Sequence, residues 1–503
     1  MYTLGIDLGT SSVKLSLFDA QAGAQIDALT SPETEFEIIS SQPGWAEQEP
    51  ELWWQAVEQG ITNLLARNPG AGVKVRAIGI AYQMHGLVAV DKQRRAVCPS
   101  IIWCDSRAVD VGATLGKTLG ERWCKQRLLN TPGNFTLSKL LWLKQHKAET
   151  FKRIDKIMLP GDYIAMRLSG RCTTSASGLS EATLWDFVQS AAASDTLQKA
   201  GLSSELLPEL KSNLGIAATL KAELAKELGL GSGAGDDVVL SYRAGDQVNN
   251  ALSLGAFKHG DIAASAGTSG VIYGVSNTLI CDETQRINSF LHIAEPGAEQ
   301  PLGLLACING AGRMYSWLKQ LLDEAGSTLS YQQLSELSAT APVASEGLMV
   351  LPFGNGAERL LGNHAAQRAQ IEGLDLNRHG LAHMARAVQE GVAFAMAMGM
   401  KQLESLGFGA TKIVAAHDSL FLSEVFRQSL SDCTGLPIQL FSTSGAEGAA
   451  RAAAWGCAFY QNAEQAFVSL EPVGKEIQPS KHRTELKQQQ LRWLQLLKTK
   501  QPE

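Results

Sequence analysis

The sequence lacks several features that mark particular classes of protein. Its eight cysteines are widely spaced and include no C-x-x-C pair, so neither a zinc site nor a disulfide framework is expected. Lysine and arginine are scattered and the net charge is −6, which argues against nucleic acid as the main partner. No apolar run reaches the roughly 18 residues that span a bilayer, and the N-terminus lacks a signal-peptide layout. We therefore expect reduced thiols in a cytoplasmic protein that binds neither membranes nor nucleic acid.

The length and composition of the sequence are those of a large globular protein. The chain has 503 residues, of which 45% are hydrophobic and 19% charged. Because single cores stop growing at roughly 250–300 residues, two domains are expected. Apolar strand patterns alternate with helical patterns throughout, which predicts α/β domains. We place the boundary near Phe257–Asp261, and we expect the C-terminal tail from His482 to be an amphipathic helix on the surface.

Two segments share one turn motif. DLGTSS (Asp7–Ser12) and SAGTSG (Ser265–Gly270) each place Gly-Thr-Ser between two apolar, strand-like runs. Backbone N–H groups and hydroxyls in such a turn suit a phosphate, and the carboxylate of Asp7 beside it suits a hydrated Mg²⁺. An ordinary β-hairpin turn explains a single copy equally well. The repetition favours two loops that hold one polyphosphate from both sides.

Asp246 lies in AGDQ, where an apolar strand gives way to a helical run of small residues. A carboxylate at the carboxyl end of a strand faces the edge at which α/β proteins bind ligands. There it is placed to take a proton from a substrate hydroxyl whose oxygen attacks phosphorus. Aspartate is also a favoured helix N-cap, and for this residue taken alone the capping role is the better interpretation.

Two further polar segments follow apolar strands. QMHG (Gln83–Gly86) offers His85 as a hydrogen-bonding partner for a sugar hydroxyl and Met84 as an apolar contact for its carbon skeleton. A single loop histidine is nevertheless more often structural than ligand-binding. WCDSR (Trp103–Arg107) either lines a polyol pocket or forms a buried salt bridge. The residues alone leave both alternatives open.

These segments become specific in combination, because they occur in the order and spacing of one family. The chain resembles the FGGY carbohydrate kinases, most closely their xylulokinase branch, over nearly its whole length. The pair QMHG and GDQ is the most specific part of the resemblance. The other matching segments are DLGTSSVK, WCDSR, NFTLSKLLW, KIMLPGDYIAMRLSG, SAGTSG and EGAARAAAWG.

The resemblance implies a fold, a reaction and a set of functional residues. The fold is of the α/β class, with two actin-like (ribonuclease H-like) ATPase domains, an active-site cleft between them, sugar bound by residues 1–256 and nucleotide by residues 257–503. The reaction is Mg²⁺-assisted transfer of the ATP γ-phosphoryl group to O5 of D-xylulose, giving D-xylulose 5-phosphate, and homodimers are common in the family. The implied residues are Asp246 as the base; Asp7 near the metal; Gly9, Thr10 and Ser11 in a first phosphate loop; Gly267, Thr268 and Ser269 in a second; Met84, His85, Trp103, Asp105 and Gln247 at the sugar; and Gly310 and Asp418 at the nucleotide.

The chain departs from the family pattern at three places in its second half. The turn that begins the adenosine site, commonly glycine-rich, reads AAHDS (Ala415–Ser419), and side chains occupy space that glycines leave open. GNGAERLLGN (Gly354–Asn363) lacks the family's Arg-Thr-Pro continuation. CINGAGRMYSW supplies Asn309, Gly310 and Gly312 where a different helix start is usual.

His417 and Asp418 form a His-Asp pair between a strand-like run and a helical pattern. A metal site needs three or four converging ligands, and nothing in the neighbouring sequence supplies them. A hydrolase triad needs a nucleophile elbow, which the sequence does not contain. We therefore expect Asp418 or Ser419 to cap the following helix.

Three other functions are consistent with parts of the sequence. A kinase for another ketose or polyol, such as sedoheptulose, fits the same motifs because they do not report sugar length. Actin and chaperone relatives share the two-domain scaffold and a DLGT-like hairpin, but QMHG together with Asp246 argues against them. A sugar-binding relative with impaired ATP use follows from the altered adenosine turn, whereas Asp246 and both Gly-Thr-Ser loops favour an active kinase.

Overall fold

The computed structural model describes residues 1–231, 237–294, 298–356, 358–362 and 368–500. The chain forms two compact units. The first unit comprises Met1–Gly255, Phe290–Leu302 and Thr443–Ser469, and the second comprises Ala256–Ser289, Gly303–Ser442 and Leu470–Glu503. No helix among the described residues combines the length and the apolar character needed to cross a membrane.

The first unit contains a mixed six-stranded sheet of order β13-β14-β5-β1-β2-β3. Strands β1 and β2 form the predicted hairpin, while β5 runs parallel to both β1 and β14. The strands up to this point of the chain are β1 (Tyr2–Leu8), β2 (Val13–Asp19), β3 (Ala24–Ser31), β4 (Glu47–Gln48), β5 (Val75–Tyr82), β6 (Val88–Val90), β7 (Ser100–Ile101), β8 (Lys156–Met158), β9 (Thr173–Ser175), β10 (Trp185–Asp186), β11 (Ala191–Ala192), β12 (Glu209–Lys211), β13 (Leu214–Thr219) and β14 (Val239–Gly245).

Helices connect these strands, as the alternating pattern predicts. They are α1 (Pro50–Arg67), α2 (Val109–Leu119), α3 (Glu121–Trp123), α4 (Thr136–His146), α5 (Ala148–Lys152), α6 (Pro160–Ser169), α7 (Ala176–Glu181), α8 (Ser194–Lys199), α9 (Ala222–Leu228) and α10 (Asp246–Ser253). Helix α1 begins with a proline, whose missing N–H costs nothing in a first turn.

The second unit contains a mixed seven-stranded sheet of order β17-β18-β16-β15-β21-β22-β23. It opens on the second predicted hairpin, β15 with β16, and β15 runs parallel to β21. The strands are β15 (Asp261–Ala266), β16 (Gly270–Ser276), β17 (Asn288–Leu291), β18 (Leu302–Ile308), β19 (Met349–Leu351), β20 (Gln370–Glu372), β21 (Lys412–Ala416), β22 (Ile438–Phe441) and β23 (Pro472–Ile477). The helices of this unit are α11 (Ala311–Glu324), α12 (Tyr331–Thr340), α13 (Leu381–Ser405), α14 (Glu424–Thr434) and α17 (Arg483–Lys500). Two further helices in this part of the sequence, α15 (Gly445–Gly456) and α16 (Ala463–Phe467), belong to the first unit.

Helix α15 belongs to the first unit, where it lies directly against β1 and β5. Gly5 and Gly79 are register partners on these two strands. A Cβ on Gly5 would lie 1.8 Å from the carbonyl oxygen of Ala446, and one on Gly79 would lie 2.0 Å from that of Ala449. Helix and sheet backbones therefore approach so closely that only glycine fits between them. The alanine-rich sequence of α15 has the same cause.

The core of the second unit surrounds α13, which is buried on every side between Ala385 and Ala397. The tail helix α17 contributes to this core. Trp493 is fully buried, packs near the rings of Phe353 and Phe394, and donates its Nε1–H to the carbonyl of Val350 (2.7 Å). The prediction of an amphipathic surface helix is thus confirmed: most residues of α17 are exposed, and its apolar face completes the core.

Candidate functional site

Three parallel strands of the first unit end at the same level of the sheet. Leu8 at the end of β1 is in register with Tyr82 at the end of β5, and Tyr82 is in register with Gly245 at the end of β14. The residues that follow these three strand ends are the Gly9–Ser11 loop, the QMHG segment, and Asp246 with Gln247. The register therefore brings three motifs that are far apart in the sequence to one edge of one sheet, the edge at which α/β proteins bind ligands.

Direct hydrogen bonds link the first Gly-Thr-Ser loop to the neighbouring motifs. Gly9 N–H donates to the carbonyl of Ser12 (2.9 Å), which closes the turn. The Thr10 hydroxyl donates to Gln83 Oε1 (3.4 Å) and accepts from Trp103 Nε1 (2.9 Å). Thr10 thus fixes this loop to the residue before Met84 and to the half-exposed indole of Trp103.

Asp246 is the first residue of α10, whose N-cap position is taken by Gly245. The capping interpretation of Asp246 is therefore wrong, because the residue lies one position inside the helix. Burial, and next the charge of Asp7, raise the pKa of Asp246 to about 7. A carboxyl with a pKa near neutrality is matched to accepting and returning a proton at physiological pH.

Asp7 lies in β1, in register with Lys14 of β2. Burial raises the pKa of its carboxyl, and Lys14 lowers it. Among the described residues, no three His, Cys, Asp or Glu side chains converge as a ready-made metal site. Asp7 and Asp246 are partly buried carboxylates that repel each other, and such a pair nevertheless fits a cation that keeps most of its water ligands, as Mg²⁺ does.

His85 is held from several directions in a left-handed backbone conformation, with φ of 61°. Its Nδ1 lies 2.9 Å from the carbonyl oxygen of Glu181, and its ring packs edge-on against Phe135 (4.7 Å between centroids). Its own carbonyl accepts from Nζ of Lys139 (2.8 Å), a fully buried lysine. The neighbouring Met84 is also buried. The loop is therefore preorganised by the protein around it.

The WCDSR segment combines its two interpretations. Asp105 is fully buried and pairs with Arg107, 2.6 Å between Oδ2 and Nη2, and it also accepts from the backbone N–H of Ala46 (2.6 Å). Arg107 reaches Glu47 as well (2.7 Å). The buried salt bridge is therefore present. Of the two residues predicted to line the sugar pocket, Trp103 is exposed beside the first loop and Asp105 is not. A sugar contact by Asp105 stays a prediction.

The second Gly-Thr-Ser loop lies between β15 and β16 in the second unit. The start of α11 packs against it: Arg313 N–H donates to the carbonyl of Thr268 (3.0 Å), and a Cβ on Gly312 would lie only 1.6 Å from the carbonyl oxygen of Gly267. The backbone N–H of Gly310 donates to Glu358 (2.9 Å), which orients the residue before this helix. The loop and the helix start are consequently one rigid arrangement.

Glu358 is the described centre of GNGAERLLGN, whose Ala357 and Asn363 lie outside the described residues. Its carboxylate is fully buried and accepts from two successive backbone N–H groups, those of Asn309 and Gly310, each at 2.9 Å. Burial raises the pKa of Glu358 to about 7, and the two hydrogen bonds lower it. Through these two hydrogen bonds, Glu358 holds the backbone of the CINGAG turn in place.

The AAHDS turn places His417, Asp418 and Ser419 on the surface after β21. Within the described part of the chain, no hydrogen bond or ion pair joins His417 to Asp418. The expectation that Asp418 or Ser419 caps the next helix is wrong. Asp418 precedes a single 3₁₀ turn without a side-chain capping bond, and α14 is capped by Ser423, whose hydroxyl accepts from Phe426 N–H (3.4 Å).

The sequence motifs did not single out two buried titratable residues near the first unit's strand edge, Glu181 and Lys139. Glu181 follows a run of small polar residues, and Lys139 lies on an otherwise apolar face of α4. The signal in the sequence that could have identified Glu181 and Lys139 is a charged residue within a segment that is otherwise small or apolar. Such a charge normally has a partner or a function.

Comparison with known proteins identifies the family of this chain. The model of the FGGY family of carbohydrate kinases, N-terminal domain, matches residues 2–253, and that of the C-terminal domain matches residues 262–457. A xylulose kinase of Escherichia coli is 32% identical over 477 residues, covering 93% of this chain and 92% of the relative.

Solved structures agree on the fold of the whole chain. A crystal structure described as a xyloylose kinase from Brucella ovis superposes with a TM-score of 0.88 at 27% identity, covering 99% of both chains. The glycerol kinase of Plasmodium falciparum, solved with ADP, has the same fold, with a TM-score of 0.88 at 18% identity over 100% of this chain and 98% of that one. The two α/β units with mixed sheets are those of sugar kinases, and the chain belongs to the FGGY family of carbohydrate kinases.

Proposed function

We propose that this chain phosphorylates O5 of D-xylulose with ATP, giving D-xylulose 5-phosphate. The observation that carries the proposal is the common level of three strand ends, Leu8, Tyr82 and Gly245, which gathers a phosphate-type loop, the QMHG segment and Asp246 at one sheet edge. The similarity to xylulose kinases along nearly the whole chain supports the choice of sugar. Residues 1–256 then serve the sugar and residues 257–503 the nucleotide.

Asp246 acts as the general base in this proposal. Its carboxylate takes the proton of the O5 hydroxyl while that oxygen attacks the γ-phosphorus, and the bond from phosphorus to the bridging oxygen of ADP breaks. Met84, His85, Trp103 and Gln247 orient the ketose. The turns formed by residues 9–11 and 267–269 hold the phosphates, with Gly310 at the start of α11, and Asp418 lies on the nucleotide side.

Asp7 is the residue that holds Mg²⁺ in this proposal, through the cation's water ligands. The ion supplies charge neutralisation for the transferring phosphoryl group. Because the charge of Asp7 raises the pKa of Asp246, a cation beside Asp7 also favours the ionised, proton-accepting form of the base.

A panel of acceptors tests the proposed sugar. With saturating ATP and Mg²⁺, we expect kcat/KM to be highest for D-xylulose among D-xylulose, D-ribulose, sedoheptulose, D-gluconate and glycerol, measured as ADP release in a coupled assay. ADP release without any acceptor gives the background. A higher kcat/KM for sedoheptulose or another acceptor would replace D-xylulose as the substrate. Tight ketose binding without ADP release would instead indicate a sugar-binding protein.

The raised pKa of Asp246 predicts the pH dependence of the reaction. Only the ionised carboxylate accepts a proton, so kcat/KM for the sugar falls, approaching tenfold per pH unit, as the pH drops below the pKa of Asp246; that pKa is about 7 without a cation, and a cation beside Asp7 lowers it. An aspartate with an ordinary pKa would keep full activity down to about pH 5. ATP also takes up a proton at mildly acidic pH, so the comparison includes Asp246→Glu. If Asp246 causes the acidic limb of the pH profile, that limb shifts along the pH axis in Asp246→Glu. A limb at the same pH in both proteins would show that another group causes it.

A further inference from the structure

Glu181 is the last residue of α7 and is 1% exposed. Neither of its carboxyl oxygens has a hydrogen-bond partner of normal geometry among the described residues. The hydroxyl of Tyr82 lies beside the carboxyl and interacts with it, and one hydroxyl can serve at most one of the two carboxyl oxygens. A buried polar group without a full set of partners costs stability. Such a group needs an explanation, and a ligand that completes its hydrogen bonds is one.

The carboxyl of Glu181 lies between two of the motifs that meet at the strand edge. Its Oε2 is 2.6 Å from the point where a Cβ on Gly245 would lie, and Cγ of Met84 is 2.6 Å from that same point. The backbone carbonyl of Glu181 in turn contacts His85 Nδ1 at 2.9 Å. Glu181 therefore lies beside Gly245, the residue before the proposed base, and near Met84, and its backbone carbonyl contacts His85.

Burial and the surrounding carboxylates favour the protonated form of Glu181. Burial raises the pKa of Glu181 well above its ordinary value, Tyr82 lowers it, and the charges of Asp246 and Asp162 raise it further. The nearby cation, Arg243, is engaged with Asp162 at 2.9 Å. A protonated carboxyl carries one O–H donor and a free acceptor, which is the pairing capacity that matches a sugar hydroxyl.

We propose that Glu181 is a specificity-determining residue, which hydrogen-bonds a hydroxyl of the acceptor sugar other than the one that is phosphorylated. The inference rests on the proposed function as a ketose kinase. Met84 lies near the carboxyl, and its unbranched thioether side chain shifts at little cost when the sugar enters. The sugar then supplies the partner that Glu181 lacks, so sugars without that hydroxyl leave a buried polar group unpaired and are rejected.

Single-deoxy analogues of the acceptor test this inference. We expect the wild type to lose at least ~10²-fold in kcat/KM on one of the 1-, 3- and 4-deoxy forms of D-xylulose, because a site built for a hydroxyl rejects its absence strongly. In Glu181→Leu the same analogue and the parent sugar should differ by less than about tenfold, as an apolar pocket discriminates weakly. Glu181→Gln, which is neutral and keeps a donor and an acceptor, should retain the wild-type discrimination.

The outcomes separate this inference from the proposed function. Turnover of unmodified D-xylulose by the wild type reports on the proposed function, and if another ketose is preferred, its deoxy analogues take the same place. Equal discrimination by wild type and Glu181→Leu against every analogue would overturn the role of Glu181. If thermal unfolding shows that Glu181→Leu does not fold, Glu181→Ala makes the same comparison without added bulk. A uniform loss on all sugars, with unchanged ratios, would assign Glu181 a purely structural role.

Discussion

Asp246→Asn is expected to lose at least ~10²-fold in kcat while the affinity for the ketose changes little, because a general base contributes about 10²–10⁴-fold. Asparagine has nearly the same shape as aspartate but accepts no proton under these conditions. The substitution leaves α10 intact, since Gly245 and not Asp246 occupies the N-cap position. Turnover is measured as ADP release with D-xylulose, and sugar affinity by titration calorimetry.

The stability of this variant is also predictable from the pKa of Asp246. A carboxyl whose folded-state pKa is raised to about 7 penalises folding once the pH rises above its ordinary value of 3.8, and the penalty is fully present above pH 7. Asparagine has no charge to bury, so Asp246→Asn should unfold at the same or a higher temperature than the wild type at pH 8. A loss of activity together with a lower melting temperature would therefore contradict the assignment as a base.

A matched control exists in the same unit. Asp110 is an exposed aspartate in the first turn of α2, and no other described charge pairs with it. Asp110→Asn removes one charge from a helix start without touching the strand edge, and it should leave kcat and KM unchanged. Near-wild-type turnover in Asp246→Asn, or an equal loss in Asp110→Asn, would show that the base has been assigned wrongly.

The motifs were readable from sequence because each depends on local chemistry. Both Gly-Thr-Ser hairpins follow from alternating apolar residues around a turn, and both are found in the structure as β1–β2 and β15–β16. The convergence of Leu8, Tyr82 and Gly245 was not predicted, since the family resemblance implied only that the motifs following them serve one active site. The pairing of β1 with β5 and β14 joins residues that are distant in the chain, and no local pattern encodes that register.

The errors have physical causes of the same kind. Asp246 is not an N-cap because β14 runs on to Gly245, and the strand end, not the residue type, decides the cap. Ser423 caps α14 because a single 3₁₀ turn, Ser419–Leu422, intervenes after the AAHDS turn. Helix α15 returns to the first unit although it follows most of the second in sequence, since only its small residues allow contact at Gly5 and Gly79. Each error concerns where an element ends or what it packs against.

Gly312→Ala is expected to lower kcat/KM for ATP by ~10²-fold, the effect that a displacement of about 1 Å has on a positioned reactant. The added Cβ would lie 1.6 Å from the carbonyl oxygen of Gly267 and 2.7 Å from its carbonyl carbon. These are backbone atoms, which cannot rotate away as a side chain does. Helix α11 and the second Gly-Thr-Ser loop must therefore separate, and the hydrogen bond from Arg313 N–H to Thr268 (3.0 Å) is strained or lost.

The affinity for the ketose should stay unchanged in Gly312→Ala, because the proposed sugar residues lie in the first unit. Gly409→Ala is the matched control in the second unit, since no described atom lies within 4 Å of its added Cβ and its φ is not left-handed. Circular dichroism and thermal unfolding confirm that both variants are folded. In the proposed function the loop acts on phosphates. A folded Gly312→Ala protein with wild-type kcat/KM for ATP would therefore exclude residues 267–269 from nucleotide binding. An equal loss of sugar affinity would show that the substitution acts through the fold as a whole.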